Sequence, residues 1–133
     1  MRFVLDASVT INWVMRNESN PVADSAFSSL REGAALVPGI WWYEIRNILV
    51  VNERRKRIAP ADSNRFLLEL QDLDITTDNE PDSRAILDLS RHLNTTVYDA
   101  AYLALALRER IPLATLDKAL ASAATAAGVP LLS

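Results

Sequence analysis

Short apolar runs alternate along this chain with segments whose apolar residues recur at helical spacing. Arg2 to Leu5 is an apolar run closed by Asp6 and is predicted as a buried strand. Ala7 to Met15 follows as a short helix, and Asn20-Pro21 opens the next one, with Val22, Ala26, Phe27 and Leu30 on its apolar face. Gly33 ends that helix, and Ala34 to Val37 is a second strand, closed by Pro38-Gly39. A long helix is expected from Ile40 to about Arg57, apolar at Trp41, Ile45, Ile48 and Leu49. Pro60 to Leu70 is a helix with Phe66, Leu67 and Leu70 inward, and Leu73 to Thr76 is a third strand. Pro81 to Leu93 is a helix with Ile86, Leu87 and Leu89 inward. Thr95 to Leu107 carries Ala and Leu on every face and should be a buried helix. Leu113 to Leu116 is a strand, Asp117 to Ala127 an Ala-rich helix stopped by Gly128, and Val129 to Leu132 a last strand. Such alternation predicts an α/β domain with a mainly parallel sheet of about five short strands, covered by helices on both faces. The C-terminal ends of the strands then lie along one edge, where sites form.

Composition narrows the chemistry. Half of the 133 residues are hydrophobic and only three are Gly, so a folded chain is expected rather than a disordered one. This length suits one domain over residues 1 to 133 that buries roughly 65–70% of its unfolded surface. The absence of Cys removes disulfides, thiolate metal sites and a Cys nucleophile, and fits the reducing cytoplasm. A single histidine, His92, makes a His-based zinc site or a Ser/His/Asp triad hard to assemble. Asp6 comes too early for a signal peptide, and no apolar run is long enough to cross a membrane. The net charge of −3 argues against a broad electrostatic nucleic-acid binder, though not against an enzyme whose acids are neutralised by metal.

Four acids stand out by isolation. Asp99 is the only ordinarily charged residue from Thr95 to Leu107, and Asp6 is the only one between Arg2 and Arg16. Glu44 is the only charge between Glu32 and Arg46, and Asp117 directly follows a strand. Each has a structural explanation of its own. Asp6 and Asp117 can cap the helices they precede. Thr96 to Asp99 resembles a capping box, with Asp in place of Glu. Glu44 can share a solvated stripe with Arg46 and Asn47. Together, however, all four are expected at one end of the sheet, where they cannot all stay ionised without a counter-charge. Mg²⁺ or Mn²⁺, which prefer oxygen ligands, would supply it and could activate a water toward a phosphodiester. Ser8 and Thr115, each two residues from an acid, could orient a carboxylate, and Asn47 lies one turn from Glu44. Arg54 to Arg57 is read as a solvated helix end or a phosphate-binding cluster. Trp13, Trp41, Trp42 and Tyr43 are divided between core and a partner surface.

These residues resemble a known family. Asp6-Ala7-Ser8, Glu44 with Asn47, Tyr98-Asp99-Ala100-Ala101-Tyr102-Leu103-Ala104-Leu105-Ala106 and Ala114-Thr115-Leu116-Asp117 are similar to PIN-domain ribonucleases. Within them they most resemble the VapC toxins of type II toxin–antitoxin systems, over essentially the whole chain. The resemblance implies a three-layer α/β/α PIN-like fold and a Mg²⁺- or Mn²⁺-dependent endoribonuclease acting on RNA. It also implies a homodimer and a cognate antitoxin that covers the site. The family's core acids fall on Asp6, Glu44 and Asp99, and a less uniform fourth on Asp117. Two other classes compete. An aspartyl-phosphate phosphatase or receiver-like domain would use Asp6 as acceptor, but Ser8 stands where an Asp-x-Asp phosphatase has its second acid. A non-catalytic binding module would use the acids only as caps and the aromatics as an interface.

Overall fold

A computed structural model describes residues 1–15 and 19–133. In chain order the elements are β1 (Arg2–Leu5), α1 (Ala7–Val14), α2 (Pro21–Glu32), β2 (Ala34–Val37), α3 (Ile40–Arg54), α4 (Pro60–Gln71), β3 (Ile75–Thr77), α5 (Ser83–Leu93), α6 (Val97–Glu109), β4 (Leu113–Ala114) and α7 (Lys118–Ala127). The sheet order is β3-β2-β1-β4, and every pairing is parallel. Strands β1 and β2 are apolar because both of their faces are covered. Phe3, Val4, Leu5, Ala35 and Val37 are completely buried.

The connections explain the layers. From β1 to β2 to β3 the chain steps in one direction across the sheet, through α1 to α4. From β3 to β4 it returns past β1, through α5 and α6. Right-handed crossovers in opposite directions put their helices on opposite faces. Accordingly α1 packs on α2, α3 and α4, whereas α5, α6 and α7 pack on one another. The result is the α/β/α sandwich expected from the sequence.

Local chemistry sets the boundaries. Asn20 caps α2, accepting from the Val22 and Ala23 amides at 2.8 and 3.3 Å, with Pro21 at the first helical position. A Cβ on Gly33 would overlap the Met1 carbonyl, so glycine lets the chain enter β2 beside the start of β1. Helix α3 stops at Arg54 rather than about Arg57. Lys56 takes a left-handed φ of 59°, and the Arg57 amide closes onto the Asn52 carbonyl at 3.0 Å. The third strand runs Ile75–Thr77, displaced from Leu73 to Thr76, because the Leu73 amide turns back onto Leu70. Helix α5 holds no fully buried residue, and Leu87, expected inward, is exposed.

Among the described residues the sheet has four strands, where about five were expected. Val129 to Leu132 contributes a single parallel bridge between Leu131 and Leu113. Pro130 has no amide to donate, so its contribution is its carbonyl, which accepts from Leu113 at 2.9 Å.

Candidate active site

The sheet reverses its direction of growth between β1 and β4, the kind of crevice where ligands bind in open α/β sheets. Asp6 leaves the end of β1 directly into it. Its amide donates to the Ala114 carbonyl of β4 at 3.0 Å, and its side chain is 5% exposed. Asp6 occupies the N-cap position of α1, but its carboxylate does not cap the helix. Ser8 Oγ and Thr115 Oγ1 both donate to its Oδ2, at 2.6 and 2.7 Å. Ser8 Oγ in turn accepts from the Leu116 amide at 2.8 Å. That bond also explains why β4 stops at Ala114 rather than Leu116: the Leu116 amide serves the loop, not the ladder. Asp117 does cap its helix. Its Oδ1 accepts from the Ala119 and Leu120 amides at 2.8 and 3.2 Å, and the residue is exposed.

Glu44 comes from the start of α3, after β2, and is half-buried rather than on a solvated stripe. Tyr102, a buried residue of α6, donates its hydroxyl to Glu44 Oε1 at 2.6 Å. Asp99 lies in the first turn of the same helix. Only half of the expected capping box forms: Thr96 Oγ1 accepts from the Asp99 amide at 3.0 Å, while Thr95 Oγ1 approaches Asp99 Oδ2 at 3.4 Å. Asp99 can therefore present its carboxylate to the crevice.

Electrostatics tie the four acids together. Burial pushes the Asp6 carboxyl above the usual carboxylate range, against the hydrogen bonds from Ser8 and Thr115, and Asp117 adds repulsion. Glu44 is raised by burial, opposed by the Tyr102 bond, and raised further by Asp6, Asp99 and Asp117. Asp99 is raised by burial and by Asp117 and Asp6. Among the described residues no ion pair involves any of the four. An unneutralised set of oxygen donors, without Cys or His, fits a hard divalent cation. Among the described residues no three acids are grouped closely enough to hold an ion by themselves. An ion held here would therefore be held partly through water, as Mg²⁺ usually is.

The PIN domain family model matches residues 3–126. The chain belongs to the PIN domain family. No curated protein matches it in sequence. Among solved structures, PAE2754 from Pyrobaculum aerophilum is similar with a TM-score of 0.72 and 20% identity, over 92% of this chain and 84% of that one. FitAcB from Neisseria gonorrhoeae is similar with a TM-score of 0.67 and 17% identity, over 100% of this chain and 97% of that one. At these identities the likeness is one of fold.

Asn47, one turn from Glu44, is exposed on α3. Other sequence candidates lie elsewhere in this PIN domain. His92 is exposed on α5 and lines an apolar groove formed with α3 and α6. Arg54 to Arg57 are exposed at the far end of α3 from Glu44, about 15 Å along the helix. The aromatics divide. Trp41 is core and donates to Thr10 Oγ1 at 3.1 Å, and Trp13 donates to the Ala23 carbonyl at 2.9 Å. Trp42 and Tyr43 are exposed, with the Arg46 guanidinium 3.5 Å from the centre of the Trp42 ring. Reasoning from the sequence passed over Tyr102 as an individual residue. Its one available signal was the spacing of three from Asp99, which puts both on one helix face.

Proposed function

We propose that this PIN domain is a Mg²⁺- or Mn²⁺-dependent endoribonuclease and the toxin half of a type II toxin–antitoxin pair. The observation that carries the proposal is the set of four carboxylates at one sheet edge, mutually repelling and without a cation partner among the described residues. Asp6, Glu44, Asp99 and Asp117 would hold the ion directly or through water. A bound divalent ion supplies a more acidic water and offsets charge on the phosphate under attack.

The chain's own contribution is preorganisation. Ser8 and Thr115 fix Asp6 through one oxygen, so Oδ1 receives neither hydroxyl. The helix α7 amides fix Asp117 through Oδ1 in the same manner, and Tyr102 fixes Glu44. Without a cation these acids repel RNA phosphates, and the net charge of −3 gives no compensating attraction. RNA binding in the crevice should therefore depend on the ion as much as cleavage does.

An antitoxin would inhibit by covering the crevice. Homodimerisation would cover the apolar groove around Ile40, Tyr43, Val97 and Ala101, which leaves Tyr43 and Val97 exposed in the single chain. The Cys-free composition suits the cytoplasm, and among the described residues no helix is long and apolar enough to cross a membrane.

The test is cleavage of an end-labelled RNA of mixed sequence by purified protein with Mg²⁺, with Mn²⁺ and with excess EDTA. Cleavage in the first two conditions and none in the third is expected. Equal cleavage in EDTA would overturn the metal-dependent reading. No cleavage in any condition, with the protein folded, would overturn the ribonuclease reading.

A further inference from the structure

Tyr102 is 1% exposed and stands in a helix otherwise buried through Ala100, Leu103, Leu105 and Ala106. Packing alone needs no hydroxyl there. A phenol has one proton to donate, and Tyr102 gives it to Glu44 Oε1 at 2.6 Å, across 58 positions of sequence. This is a short bond to a carboxylate, the strong, charge-assisted kind. Glu44 differs from the other acids in its support. Asp6 is fixed by two hydroxyls and Asp117 by two amides, whereas Tyr102 is the one hydrogen-bond donor to Glu44 among the described residues. Helix α3 brings Glu44 from one face of the sheet, and α6 brings Asp99 and Tyr102 from the other. The phenol is thus a strut between the two helical layers at the carboxylate edge.

We infer that Tyr102 is the positioning residue for Glu44: its buried hydroxyl fixes the carboxylate at the crevice, where it would help Asp6 and Asp99 hold a divalent cation together with bound water. The inference rests on the metal-binding reading of the crevice. Groups that orient a metal ligand typically contribute about 10- to 100-fold in affinity. Phe keeps the ring and its packing and removes only the hydroxyl.

The direct test is Mn²⁺ binding in the absence of RNA, followed by the loss of the free-ion electron paramagnetic resonance signal. Wild type, Tyr102→Phe, Glu44→Gln and the double variant are compared, each first checked for native circular dichroism. Tyr102→Phe should weaken Mn²⁺ binding by about 10-fold or more. In the Glu44→Gln background the same change should add little, because its effect travels through Glu44. Equal Mn²⁺ affinity in wild type and Tyr102→Phe would overturn the inference while leaving the metal site standing. So would a Tyr102→Phe effect as large in the Glu44→Gln background as in wild type, since it would be general loosening of the fold. Failure of the wild type to bind Mn²⁺ at millimolar concentration would overturn the metal reading itself, and the role of Tyr102 with it. Should Tyr102→Phe not fold, Glu44→Asp provides the second arm: the shortened carboxylate leaves the phenol's reach and should weaken Mn²⁺ binding to a similar degree. Unchanged affinity in that variant would also overturn the inference.

Discussion

Asp6→Asn should be more stable than wild type without metal and less stable than wild type with it. The amide oxygen of Asn has two lone pairs, enough to keep both the Ser8 and Thr115 hydroxyls that now meet on Asp6 Oδ2. The fold around the crevice is then preserved, and what changes is charge. In the folded chain burial raises the Asp6 carboxyl above its unfolded value. The folded state therefore holds its proton more tightly than the unfolded state does. Stability from this group is complete below the unfolded value and is lost as pH rises through the folded one. At pH 7 without metal, Asp6→Asn should melt above wild type, and the gap should close as pH falls toward about 4. With Mn²⁺ the order inverts. An ion at a hundred times its Kd stabilises the folded state by about 2.7 kcal/mol. For a chain of 133 residues this is a rise in Tm of roughly 10 °C. Asp6→Asn, with an amide nitrogen in place of a carboxylate oxygen, should show almost none of it. The assay is thermal unfolding of both proteins at pH 7 across a Mn²⁺ series in a chelator-treated buffer. An equal Mn²⁺ shift in both proteins, or a metal-free Asp6→Asn that melts below wild type, would refute the reasoning.

Other outcomes follow from the same geometry. Asp117→Ala should destabilise the metal-free protein by about 1 kcal/mol through loss of its two amide bonds, whereas Asp117→Asn, which still caps, should not. Urea titration separates these two, and equal destabilisation would mean that charge, not capping, is what α7 uses. Thr10→Val should cost about 1–3 kcal/mol, because it orphans the buried Trp41 indole nitrogen. A loss below about 0.5 kcal/mol in the same titration would show that the nitrogen finds another partner. Asp99→Asn should flatten the fall in metal-free Tm from about pH 4 to pH 7, since Asp99 is also raised in the folded state; parallel pH curves for it and wild type would contradict that.

Much of the fold was legible because strands and helices here differ in length and punctuation. Strands β1 and β2 stand within the bounds expected, since each is a four-residue segment of mainly apolar residues stopped by Asp6 or by Pro38-Gly39. Val129 to Leu132 has the apolarity of a strand but makes a single bridge, because Pro130 withholds the amide a ladder needs. Strand β4 was overextended because nothing local shows that the Leu116 amide belongs to Ser8, 108 positions away.

The candidate site is legible in the sequence as a set of isolated acids, and less so as individual roles. Asp117 caps and Asp6 does not, although both precede helices. The difference lies in Ser8 and Thr115, which claim the Asp6 carboxylate for a different geometry. Glu44 is met by Tyr102 from the opposite helical layer, a contact no periodicity encodes. The resemblance rests on short motifs, and the family match over residues 3–126 carries its PIN-domain part.

The most direct measurement of the central claim is the single-turnover rate at which wild type and Asp99→Asn cleave the same labelled RNA at saturating Mg²⁺. The sequence predicts a helix buried on every face around Asp99, but Val97, Tyr98 and Leu107 are exposed; the Asp99 amide is capped by Thr96 whether or not its side chain is charged. The fold should therefore survive the change, and the rate should fall by at least about 100-fold. Cleavage by folded Asp99→Asn within about twofold of wild type would contradict a carboxylate-held metal as the source of the activity.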